Sequence, residues 1–167
     1  IELGEREKER LSGDPVFAPL AAMYHSLYVR NLADFETLYS REILPAFDYY
    51  YKKGKIEILT SGATHAFLPL YQDVPEALLA QIETAIVAHR SVFGKNPQGF
   101  WLPQLGWYPA LGKILREYNI KYTIVTTRGA LLGNPTPLFG SFSPVTTNDG
   151  LNVFIRDAGA TKAVWSE

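Results

Sequence analysis

The chain has 167 residues, 47% of them hydrophobic and 20% charged, which is ordinary globular composition and enough length to bury a core. Its 16 basic and 17 acidic residues leave a net charge of −1 and no basic tract, which excludes the electrostatic footprint of a nucleic-acid or anionic-membrane binder. It has no cysteine, which rules out disulfides and cysteine-ligated zinc and fits a cytoplasmic location, and no apolar run reaches the roughly 20 residues that span a bilayer.

In chain order, Asp14-Pro15 has the form of a helix cap followed by a first-turn proline. Phe17, Leu20, Ala21, Tyr24, Leu27 and Tyr28 recur at three and four, predicting a helix to about Arg30. A second helical pattern starts near Asp34, with Pro45 expected to kink or interrupt it before Phe47 to Tyr51. Ile56 to Thr60 reads as a short strand ending at the Ser61-Gly62 turn signal. Asp73 and Pro75 open a long helix closed near Gly94. Gly99 to Pro103 is the next strand, Ala110 to Tyr118 a short helix, and Tyr122 to Thr126 another strand. Residues 129 to 150, rich in proline and glycine, form a loop with one edge strand, and Val153 to Arg156 is a further strand.

The alternation of strands and helices after residue 55 argues for a parallel sheet, so this is an α/β chain with a helical part at about 14–53 and a βα-repeat part at about 55–167. Successive strand ends then place Thr60 to His65, Gln104, Thr126 to Arg128 and Asp157 along one rim, where α/β folds keep their chemistry.

Three stretches carry a family resemblance. Trp101-Leu102-Pro103-Gln104 is similar to a signature of glycoside hydrolase family 57, whose members read Trp-Leu-Pro-Glu with the Glu as catalytic nucleophile. Thr64-His65-Ala66-Phe67-Leu68-Pro69 resembles the family's Thr-His and Leu-Pro signature. Arg156-Asp157 followed by Val164-Trp165-Ser166 resembles the pattern of its branching-enzyme subgroup. The resemblance covers roughly residues 14 to 167 and implies a segment of a (β/α)7-type, TIM-like incomplete barrel with inserted helices, acting on α-glucans by hydrolysis or transfer. It implies no metal and no cofactor, since the family's mechanism runs on carboxylates. A chain of this length, with no initial Met and an end inside a motif, is expected to be an internal segment of the catalytic barrel, 1–167 throughout, whose general acid and first-signature His lie elsewhere.

Gln104 is the central departure. A retaining glycosidase needs two carboxyl groups, one to attack the anomeric carbon and one to protonate the leaving oxygen. An amide has the size of a carboxylate without its charge or its nucleophilic oxygen, so the chain is expected to be inactive as it stands. The Gln is either an engineered substitution or a natural loss. Thr126-Thr127-Arg128-Gly129, standing where branching-enzyme-like members carry Asp-Thr-His-Gly, favours natural divergence. A non-catalytic glycosidase-like protein that binds α-glucan or supports a partner is then the alternative.

His65 reads either as a buried structural histidine or, by resemblance, as a hydrogen-bond partner of sugar hydroxyls. Trp101 and Trp107 bracket Gln104 and could offer flat apolar faces to a sugar, though core packing is the commoner fate of either. Asp157 is a substrate-binding candidate whose plainer reading is a helix cap or an arginine partner. The remaining expected partner, besides an α-glucan, is the rest of the barrel or another copy of the chain, because a partial barrel exposes strand edges and apolar surface.

Overall fold

The computed structural model describes residues 1–165, and it divides into two compact units, Ile1–Ile56 and a second that begins at Glu57. The first unit is helical. Helix α1 (Glu2–Arg10) is laced by Arg6–Glu2 and Arg10–Glu7 ion pairs at 2.6 Å and is tied to α2 (Phe17–Ala33) by His25 Nε2 and Glu5 Oε2, also at 2.6 Å. Asp14 caps α2 as the sequence predicts: its Oδ1 accepts from the Val16 and Phe17 amides at 2.8 and 2.9 Å. Two expectations need correction here. Asp34–Leu38 is a π-helical turn continuing α2 rather than the start of a new helix, and Pro45 lies in the first turn of α3 (Leu44–Lys52), where a proline lacks no needed donor.

The second unit carries a five-stranded sheet in the order β1-β2-β3-β5-β4. Strands β1 (Thr60–Ser61), β2 (Gly99–Trp101), β3 (Tyr122–Thr126) and β5 (Asn152–Arg156) are parallel, and β4 (Val145–Thr146) is an antiparallel edge on β5. The first strand is shorter than predicted, because only Thr60 and Ser61 find ladder partners, Phe100 and Trp101. Helix α4 (Pro75–Phe93) connects β1 to β2 and closes on Gly94, whose φ of 72° is a left-handed C-cap. Helix α5 (Pro109–Glu117) connects β2 to β3, and the 127–151 excursion between β3 and β5 contains short helix α6 (Thr127–Leu131) before β4. Helix α7 (Ala158–Trp165) follows β5.

Strand pleating sorts the side chains. Phe100, Leu102, Thr123, Val125, Val153 and Ile155 point to one face and are buried with Leu78, Ile82 and Ile86 of α4 and Leu111 and Leu115 of α5. On the opposite face Tyr122 packs edge-on against Phe154, ring centres 5.4 Å apart, and its ring lies over Gly99. A Cβ at residue 99 would fall 2.4 Å from the Tyr122 ring, so the missing side chain is what admits the aromatic.

Candidate functional site

Because four strands run parallel, their carboxyl ends, Ser61, Trp101, Thr126 and Arg156, share one edge of the sheet. Three cross-links bind that edge together. Ser61 Oγ donates to Trp101 O at 3.0 Å, joining β1 to β2, and Thr127 Oγ1 donates to Arg156 O at 2.6 Å, joining β3 to β5. Between the β1 and β2 exits, the Phe67 ring is pressed on the backbone of Gly106.

Gln104 stands at this edge, exposed, in a turn closed by Leu105 N to Leu102 O at 2.8 Å. Its φ of 53° and ψ of 19° are left-handed, and so is the φ of 53° at Leu105. Non-glycine residues seldom sit there, and each costs of order 1–3 kcal/mol, a strain that concentrates at functional turns. His65 has the same feature, φ 56°, in the loop after β1.

That loop is held from outside by Gln81 of α4, whose Oε1 accepts from the Thr64 amide at 2.9 Å, whose Nε2 donates to Thr64 Oγ1 at 3.0 Å, and whose carbonyl accepts from Ala63 N. His65 is exposed rather than buried, which removes the reading of a core histidine. Its Nδ1 lies 3.4 Å from Ser61 Oγ.

The two bracketing tryptophans part company. Trp101 borders a shallow depression with Arg156 and the Val164 and Trp165 side chains of α7. Trp107 instead packs against the core and lines a separate groove of about 630 Å³, between β3 and the 129–149 excursion, near Gly112 and Asp149. Next to it the Tyr108 hydroxyl is buried without a hydrogen-bond partner among the described residues, and burial raises its pKa.

Asp157 follows β5 and is the carboxylate that these strand ends supply. Both of its oxygens are engaged: Oδ1 accepts from Ala160 N at 2.6 Å, capping α7, and Oδ2 accepts from Ser141 Oγ at 3.1 Å. The Ala160 amide first, and the Ser141 hydroxyl second, hold its carboxyl below the usual range. Its capping reading is therefore the one that its hydrogen bonds express. Among the described residues no three His, Cys, Asp or Glu side chains converge as metal ligands, and no helix is long and apolar enough to cross a membrane. Ser166 of the last motif lies outside the described residues.

A sequence profile of glycosyl hydrolase family 57 matches residues 8–162. The chain belongs to this family. Among characterised proteins, this family 57 chain is similar to a 1,4-α-glucan branching enzyme of Thermococcus kodakarensis, 26% identical over 172 residues that cover 87% of this chain and 25% of that protein. It is also similar to a 4-α-glucanotransferase of Thermococcus litoralis, 35% identical over 44% of this chain and 11% of that one. Among solved structures, an α-amylase of Thermotoga maritima superposes with a TM-score of 0.81 at 35% identity, covering 99% of this chain and 32% of its own. A family 57 branching enzyme of Thermococcus kodakaraensis superposes at 0.75 with 25% identity, covering 98% and 34%. This family 57 chain thus spans a quarter to a third of the length of the branching enzyme and these solved structures. Its fold is α/β, a mixed-sheet segment of the family's (β/α)7 barrel.

Proposed function

We propose that the chain is the segment of an α-glucan-acting retaining glycosidase or transglycosylase, branching-enzyme-like in type, that carries the nucleophile position, with Gln104 standing there and no hydrolytic activity of its own. The observation that carries this is the placement of Gln104: exposed, on a strained left-handed turn, at the carboxyl edge of the parallel strands and beside the loop that presents His65. The relatives named as acting on α-glucans, and the branching enzyme solved with glucose, support the substrate class. His65 and Trp101 are assigned to the sugar, whereas Trp107 and Asp157 have weaker claims because one faces another groove and the other caps a helix. No metal or cofactor enters this mechanism.

Chemically, Gln104 can donate and accept hydrogen bonds to a sugar ring but cannot form a glycosyl ester. The alternative, a natural glycosidase-like protein that binds α-glucan or supports a partner enzyme, is favoured by one observation: the single carboxylate at the described strand ends is already committed to Ala160 and Ser141. Exposed Phe154, Val164 and Trp165 support burial of this surface by the rest of the barrel or by another copy of the chain. A cytoplasmic location belongs to the same proposal.

The test uses maltoheptaose titration together with an activated fluoro-sugar, a glucosyl fluoride carrying a second ring fluorine. Its leaving group needs little acid assistance, so labelling reports the nucleophile position without the general acid. The chain should bind maltoheptaose and gain no glycosyl mass, and Gln104→Glu should gain one glycosyl unit at residue 104. Binding without labelling of either form would select the non-catalytic alternative. No binding by either form would refute the α-glucan reading.

A further inference from the structure

We propose that Ser61 is a positioning residue for His65, holding the imidazole in its Nδ1–H tautomer so that Nε2 offers a lone pair to a ligand hydroxyl. The inference rests on the reading above for its ligand, but not for its tautomer.

The argument is one of proton counting. A serine hydroxyl has one proton to give and two lone pairs. Ser61 Oγ lies 3.0 Å from Trp101 O and 3.4 Å from His65 Nδ1. A carbonyl oxygen accepts only, so the shorter contact takes the hydroxyl proton. At the longer one, Ser61 can act only as acceptor, and His65 Nδ1 must carry the hydrogen. The reverse assignment would set the Trp101 carbonyl and the Ser61 lone pairs against each other at 3.0 Å with no proton between them, which is repulsive. Once Nδ1 is the donor, the neutral ring has its lone pair on Nε2.

The backbone keeps this geometry from drifting. His65 is held at φ 56° by the hydrogen bond its amide N–H donates to Gly62 O at 2.9 Å, and the loop is clamped to α4 through Gln81 and Thr64. Ser61 itself is fixed by register, since it pairs with Trp101 in the β1–β2 ladder. The same hydroxyl thus ties the exit of β2, three residues before Gln104, to the ring that stands on the other side of the edge. Nε2 makes no hydrogen bond among the described residues and is left for the ligand, on which it would accept from a hydroxyl rather than donate to a ring oxygen.

The experiment is long-range proton–nitrogen NMR of the 15N-labelled full chain at alkaline pH, where neutral imidazole tautomers give distinct nitrogen shifts. His65 is expected to report Nδ1–H in the native chain and in Ser61→Thr, which keeps the hydroxyl. Ser61→Ala should turn it to the Nε2–H form. An Nε2–H signal in the native chain, or an Nδ1–H signal that survives Ser61→Ala, would overturn the proposal. The native and Ser61→Thr spectra decide it even if Ser61→Ala does not fold. Maltoheptaose titration supplies the second readout, with affinity expected to fall roughly 3- to 10-fold in Ser61→Ala, the effect of one misdirected hydrogen bond. If the tautomer shifts as expected while the native chain binds no maltoheptaose, the glucan reading fails and the role of Ser61 stands.

Discussion

Gly106→Ala isolates the contact that joins the two site loops. Gly106 has φ −70° and ψ 117°, a conformation that any residue adopts, so alanine brings no backbone strain. Its Cβ would nevertheless fall 2.3 Å from Phe67 Cε2, 2.8 Å from Cδ2 and 3.0 Å from Pro69 Cδ. The ring must leave. Phe67 is 40% exposed, so roughly three-fifths of a side chain worth about 200 Å² is hidden, and losing all of it would cost at most ~3 kcal/mol. Partial swinging of the ring brings the expectation to ~2 kcal/mol, about 1 M in the urea midpoint. The control is a double-mutant cycle with Phe67→Ala. With the ring gone, Gly106→Ala should cost less than about 0.5 kcal/mol, and could stabilise by several tenths through the stiffer unfolded chain. An unchanged cost of ~2 kcal/mol in the Phe67→Ala background would show that the ring contact is not what Gly106 serves, and the reasoning would fall.

Phe100→Ala, at a residue with no exposed surface in the middle of β2, should destabilise by about 3–5 kcal/mol, measured by urea denaturation. Asp14 and Asp157 have carboxyls lowered by the amides they cap, so their contribution to stability is complete above the ordinary aspartate value near 3.9 and is lost as pH falls through the lower folded values. Asp157→Asn keeps a capping oxygen that does not titrate, and its urea midpoint should fall less steeply in acid than the native chain's. Tyr118 donates to Glu83 Oε1 at 2.6 Å, which raises its hydroxyl from 10.0 to about 12. That bond's contribution is present below pH 10 and lost as pH rises through 12, so Tyr118→Phe should cost less than about 1 kcal/mol near neutrality and flatten the alkaline limb of the stability profile.

The elements that sequence reasoning found are those encoded locally. Asp14-Pro15 and Pro75 with Gly94 carry their own start and stop chemistry, and Tyr122 followed by the β-branched Thr123 to Thr126 has the composition of a strand. The parallel order followed from alternation, and the rim expected along Thr60 to His65, Gln104, Thr126 to Arg128 and Asp157 follows the carboxyl ends of those parallel strands. What escaped depends on distant partners. Ile56 to Leu59 has the composition of a strand, but pairing decides, and the ladder begins at Thr60. Trp107 was separated from Trp101 by the left-handed turn at Gln104 and Leu105, which no periodicity announces. Ser61 and Gln81 matter through bonds to residues 40 and 17 positions away, invisible to any local pattern. Helix α1 was legible in principle, since its Glu and Arg side chains pair at spacings of three and four.

The sheet is knitted unevenly, and that has a kinetic consequence. Strands β3 and β5 share five register pairs, from Tyr122–Asn152 to Thr126–Arg156, whereas β1–β2 and β2–β3 share two each. Amide hydrogens along β3 and β5 are therefore expected to exchange with solvent after those near Thr60 and Gly99, an order that hydrogen-exchange measurement would check. His65 and Gln104 both hang from the loosely knitted side. Few ladder bonds hold that side, so the side-chain fasteners across the seam, Ser61 to Trp101 O and Gln81 to Thr64, carry the task of keeping the two loops in place.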